Sequence, residues 1–169
     1  MTGDSECYPV EWAIPPTALT RVGNPVLSWL LSGRRRAAKV GQDQLLLHVT
    51  GRRTGRLHST PVAFLREGGG RLLALTSSRW RVNVRGASTP VEVTLRGRRV
   101  TATAVLQEDP LAVAEVCERP IGEVGLTIAG RRLGIRVNLD RVPSREELTD
   151  AARREHLSVL PLELTGGEQ

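Results

Sequence analysis

Residues 44–67 read QLLLHVTGRRTGRLHSTPVAFLRE. Two largely apolar runs, QLLLHVT and LHSTPVAFLRE, flank the stretch Gly51-Arg52-Arg53-Thr54-Gly55-Arg56. Glycine enters positive φ without steric cost, so Gly51 and Gly55 mark a tight turn, and the flanking runs read as the arms of a β-hairpin. Such a turn needs no arginine. Its successive backbone N–H groups can point into a concavity that suits an anion. Arg52, Arg53 and Arg56 add fork-shaped donors matched to phosphate oxygens, and Thr54 adds a hydroxyl. The plainer reading of the same residues is a hairpin whose arginines are solvated.

The two-residue period continues beyond the hairpin. After the turn EGGG comes RLLALTS, and after a break come VEVTL and VTATAV, joined by Arg96-Gly97-Arg98. Val91, Val93 and Leu95 alternate with Glu92 and Thr94, and Val100, Ala102 and Ala104 alternate with Thr101 and Thr103. GIRVNLDRV (residues 134–142) reads as a sixth strand. Short strands in hairpin order predict a mainly β fold, a six-stranded antiparallel barrel with flanking helices.

Helical patterns surround this core. Tyr8–Pro16 is an irregular, proline-rich lead-in, and Thr17–Leu31 reads as a helix with Asn24 before Pro25, closed by Gly33 and Arg34-Arg35-Arg36. Asp109-Pro110 opens a helix to about Glu118. Ser144 and Glu147 form a capping-box pattern for the segment PSREELTDAARREH. One domain is expected, divided into lead-in and helix (1–40), barrel with an inserted helix (44–142), and C-terminal helix and tail (143–169).

Composition narrows the partners. Net charge is +6 and the pI is about 10.8, which invites a nucleic-acid reading. Lys39 is the only lysine, however, so 24 − 1 = 23 basic residues are arginine, a skew that GC-rich coding produces without functional cause. Aromatics are 3% of the chain, too few to offer stacking platforms for bases, and no nucleic-acid-binding motif occurs. Cys7 and Cys117 stand apart, which suits a reducing compartment. With no signal pattern or membrane-length apolar run, a cytoplasmic protein is expected, as monomer or homodimer. Trp29 and the arginines after it would allow peripheral contact of the N-terminal helix with anionic lipid.

Catalytic patterns are sparse. His48, His58 and His156 lack metal-ligand spacing, although His48 and His58 would be near neighbours across the hairpin. GxSxG, HExxH and a Walker lysine are all missing. A second segment stands out instead. ALTSSRWRVNVRG (residues 74–86) leaves a strand through small hydroxyl residues and places Trp80 and Asn83 at i, i+3, on one face of a helical turn.

The run LLLHVTGRRTGRLHSTPVAFLREGGGRLLALTSSRW, with Asn83 after it, resembles the deazaflavin-dependent nitroreductase family, which has the split β-barrel fold of flavin-binding oxidoreductases. Thr50, Gly51, Arg52, Arg53, Thr54, Gly55, Pro61, Ser77, Trp80 and Asn83 fall on its pattern, and the likeness covers about Leu45 to Leu106. Ser78-Arg79 stands where the family has Gly-Gly, and Tyr8 is the only tyrosine. The resemblance implies that Arg52, Arg53 and Thr54 hold the phosphate of coenzyme F-420, in the turn built by Gly55. Arg56 and His58 would lie nearby, with Thr60 and Pro61 along the coenzyme tail. Thr76, Ser77, Ser78 and Arg79 would border the ring, and Trp80 and Asn83 would close that side. The implied activity is hydride transfer to a planar, electron-poor acceptor: a quinone, enone or nitroaromatic. A cofactor that carries the hydride needs no protein nucleophile or metal, in keeping with the sparse motifs. An FMN-binding oxidoreductase and a non-enzymatic carrier of a flavin-like or lipid ligand are the alternatives on the same fold.

Overall fold

The computed structural model describes residues 8–12, 26, 28–30, 32–33 and 44–165. Eight strands lie among these residues: β1 (Val10–Trp12), β2 (Gln44–Thr50), β3 (Leu57–Arg66), β4 (Arg71–Thr76), β5 (Thr89–Leu95), β6 (Arg98–Ala104), β7 (Ile135–Val137) and β8 (Ser158–Leu164). Six of them close into a barrel in the order β2-β3-β4-β8-β6-β5, and β5 pairs back onto β2 to complete the ring. All of the pairings are antiparallel.

Alternation along each strand fills the barrel. Leu45, Leu47 and Val49 meet Val62, Phe64, Leu72, Ala74, Val91, Val93, Leu160 and Leu162 in one buried cluster. Full burial of a leucine or valine side chain contributes about 1.5–3 kcal/mol, so this interior is the main source of stability. Glu92 is exposed on the outer face, as the period of two requires. Thr94 also points outward, but it is buried because its hydroxyl bonds His48.

Outward-facing Leu73 and Val159 belong to a second core. They pack beneath the helices α1 (Pro110–Val124), α2 (Leu126–Leu133) and α3 (Arg145–Arg154). Asp109 caps α1, its side chain accepting the Leu111 N–H. Pro120 lies inside that helix, which therefore runs beyond the expected end at Glu118. At α3 the Ser144–Glu147 capping box is complete in both directions.

Three expectations change. The sixth barrel strand is SVLPLEL (Ser158–Leu164), in the segment read as a tail, and not GIRVNLDRV. Only Ile135–Val137 of the latter is strand, and it pairs with Val10–Trp12, inside the lead-in read as irregular. Residues 158–162 are buried throughout, so β8 shows no alternation to read; a strand covered on both faces loses its period-two signature. Third, His48 and His58 are not neighbours. The register sets His48 opposite Ser59 and Val49 opposite His58, so the two histidines lie on opposite faces of the hairpin. His48 bonds Ser59 Oγ at 2.7 Å and Thr94 Oγ1 at 2.8 Å. Its pKa is lowered, chiefly by burial, then by the Arg99 charge, with Glu92 opposing. No group of metal-ligating side chains occurs among the described residues.

Most of the expected helix at Thr17–Leu31 and all of Arg34–Arg36 lie outside the described residues; Val26, Ser28–Leu30 and Ser32 are helical, and Trp29 is exposed. No helix among the described residues is long and apolar enough to cross a membrane.

Candidate functional site

The basic turn is a closed loop. Gly51 N–H donates to the Arg56 carbonyl at 2.8 Å, and Gly55 N–H donates to the Gly51 carbonyl at 2.8 Å. Thr54 Oγ1 accepts the Arg56 N–H at 3.3 Å. Gly55 sits at φ +63°, where a side chain would be strained. A Cβ on Gly51 would stand 2.7 Å from Thr54 Oγ1 and 3.3 Å from His58 Nε2, so the bend leaves no room for one.

The three arginines separate into two roles. Arg52, although exposed, is tied to the segment that follows β4: its amide N–H donates to Asn83 Oδ1 at 3.1 Å, and its guanidinium donates to the Arg85 carbonyl at 2.5 Å. Arg53 and Arg56 are exposed and make no side-chain hydrogen bond or ion pair with other described residues.

Asn83 belongs to the 3-10 helix Arg79–Val84, which crosses from β4 to β5. Residues three apart eclipse in a 3-10 helix, so Trp80 and Asn83 do share a face. Val84 is fully buried in the barrel core, and Trp80 packs against that core while remaining partly exposed. Asn83 thus reaches the turn through its side chain. Glu108 holds this crossover from behind. It accepts two hydrogen bonds from Arg85, at 2.8 and 2.6 Å, and lies 3.6 Å from Arg81. Arg81 in turn donates to the Ser77 carbonyl at 2.6 Å. The Arg85 hydrogen bond holds the Glu108 carboxyl below the usual carboxylate range. Sequence reading missed Arg81, Arg85 and Glu108. Charges this common in the chain carry no local signal, and Glu108 is 23 residues from Arg85.

Between turn and crossover the barrel is split. β3 pairs with β4 only through Phe64, Leu65 and Arg66, so residues 57–63 have no strand partner on that side among the described residues. Continuing the register brings Ser77 level with Pro61 and Ser78 level with Thr60. With no strand partner there among the described residues, the backbone donors and acceptors of this edge are of the kind a ligand lying along it could use. His58 and Thr60 follow the parity of Val49 and Leu47, toward the barrel interior, whereas Pro61 points outward. Thr76 is buried, its Oγ1 accepting the Ser78 N–H at 3.0 Å. Ser78 and Arg79 are exposed, and Ser77 is half-buried. The expected residues therefore gather at one end of the barrel, in the turn, on the free edge and in the crossover.

A closed antiparallel barrel, split beside a basic turn, together with the family match defines an oxidoreductase. The chain belongs to the F420H(2)-dependent quinone reductase family, whose model matches residues 32–121, a little over half of its length. No curated protein sequence matches it. Similar solved structures include a domain-swapped dimer at 14% identity and TM-score 0.44, covering 88% of this chain and 100% of that one. An F420 reductase aligns at 13% identity and TM-score 0.40, over 82% of this chain and 93% of its own. HutZ, the haem storage protein from Vibrio cholerae, aligns at 16% identity and TM-score 0.44, over 85% and 90% respectively. The family is described by the deazaflavin coenzyme, and the match lends no support to FMN.

Proposed function

We propose that the protein transfers a hydride from reduced coenzyme F-420 to a planar, electron-poor acceptor of the quinone, enone or nitroaromatic type. The carrying observation is the split itself: two guanidiniums at one end and a strand edge along it, both without partners among the described residues, and the Ser77–Trp80 segment beside that edge. These residues fit a phosphate-bearing deazaflavin. Arg53 and Arg56 would hold the phosphate, with Thr54 and the glycine-built bend beneath them. Thr60 and Pro61 would follow the tail, and Thr76, Ser77, Ser78, Arg79 and Trp80 would border the ring. Arg52 and Asn83 would position the turn, and His58 would stand at its base. When bound, the coenzyme supplies the hydride; the chain binds it, orients it and shields one side. The one tyrosine, Tyr8, lies under the Arg154 guanidinium, 3.6 Å from Cζ to ring centroid, so the acceptor's proton comes from solvent in this reading.

The test is oxidation of the reduced coenzyme with menadione as acceptor, followed by the coenzyme's absorbance. A charge-assisted hydrogen bond contributes about 1.5–3 kcal/mol, so Arg53→Ala should raise the coenzyme's Kd roughly ten- to a hundredfold while the melting temperature holds. Coenzyme binding without turnover, across all three acceptor classes, would make the protein a carrier. No binding at all would sink the assignment.

A further inference from the structure

A cavity lies at the end of the barrel opposite the basic turn. β3 leaves the basic turn at Leu57 and ends at Arg66, while β5 runs from beside Thr50 to the Arg96-Gly97 turn. At that far end a cavity of about 350 Å³ opens between the strand ends, α1 and α2. Its lining is mixed: Phe64, Leu73 and Pro120 are buried behind it, and Leu65 and Val116 are the partly exposed apolar residues.

Four guanidiniums line this cavity, and they come from four different elements: Arg66 of β3, Arg96 of the β5–β6 turn, Arg119 of α1 and Arg132 of α2. Glu67 and Glu123 oppose them, but Glu67 is engaged by both Arg119 and Arg71. The Arg66 guanidinium lies 5.4 Å from the centroid of the Phe64 ring. Arg132 has no hydrogen bond or ion pair with other described residues.

Backbone strain adds an independent observation. Arg96 holds φ +50°, and Gly97 follows at φ +74°. Consecutive positive φ values are the geometry of a tight hairpin turn that favours glycine, asparagine or aspartate at its first position. An arginine held there, lining a cavity, is an outlier of the kind that accompanies ligand contacts.

We propose that this cavity binds a small organic anion, a carboxylate on a flat or short apolar body. Carboxylate geometry matches the guanidinium fork, and the apolar body would lie against Leu65 and Val116. This site is separate from the basic turn and does not depend on the coenzyme.

The test is calorimetric titration of the whole protein with 1-naphthoate and with neutral 1-naphthylmethanol. Naphthoate should bind at one site, at least tenfold more tightly than the alcohol. Arg96→Gly should weaken naphthoate at least tenfold while the melting temperature holds or rises, since glycine relieves the positive φ. Arg132→Gln should weaken it in the same direction, and Arg53→Ala should leave it unchanged. Equal affinity for the two probes would overturn the proposal, as would unchanged binding in Arg96→Gly. Loss of binding in Arg53→Ala would place the probe at the basic turn and overturn it equally.

Discussion

Asn83→Ala separates two roles for one residue. In the structure Asn83 Oδ1 accepts the Arg52 amide N–H at 3.1 Å, which would make it a positioning residue for the turn, whereas the family resemblance implies a place beside the coenzyme ring. A neutral hydrogen bond of this kind contributes about 0.5–1.5 kcal/mol net. If ligand binding must re-impose the turn position once the bond is gone, that energy passes to the Kd, a rise of roughly 2- to 12-fold. The assay is titration of protein with coenzyme F-420 at low and high salt. Exposed charge pairs are screened as the Debye length falls from about 10 Å at 0.1 M salt to about 3 Å at 1 M. Asn83→Ala should therefore keep the wild-type salt dependence, whereas Arg53→Ala should flatten it. A loss beyond a hundredfold in Asn83→Ala would show direct contact with the coenzyme and refute the positioning role. An unchanged Kd with a lowered melting temperature would show that the bond serves only the fold.

Removal of residues 157–169 should prevent folding, because β8 closes the ring between β4 and β6 and buries Leu160 and Leu162; circular dichroism and size exclusion would check this, and a cooperatively folding truncated chain would contradict the topology. His48 has a folded pKa below its ordinary 6.5, so its contribution is full above that value and is lost as pH falls through it toward the folded pKa. The wild-type melting temperature should accordingly drop between pH 7 and 5, and drop less in His48→Gln; parallel slopes would exclude His48 as the source. Burial pushes the Cys117 thiol up to about 12, so it should resist iodoacetamide at pH 8 until the protein is unfolded, as peptide mass analysis would show.

Local chemistry along the chain determined much of this molecule. Residues 44–50 and 57–66 flank a glycine-built bend, and alternation at Val91–Leu95 and Val100–Ala104 marks inner and outer faces; steric preference and burial act there on neighbours in sequence. Asp109 and Ser144 cap their helices for the same reason. Tertiary structure decided which strand closes the barrel. β8 is buried on both faces, so its run lacks a period, and its partners lie far away in the chain. The site shows the same division. GRRTGR is legible as a glycine-built basic turn, yet three-dimensional contact is needed to turn Arg52 toward Asn83 and Arg85 and leave Arg53 and Arg56 open. It also takes the barrel's register to leave residues 57–63, paired with β2 on one side, without a strand partner among the described residues on the side of Ser77 and Ser78. Hydrogen bonds across 31 residues and the absence of a strand partner are properties of the folded arrangement, and no window of sequence contains them.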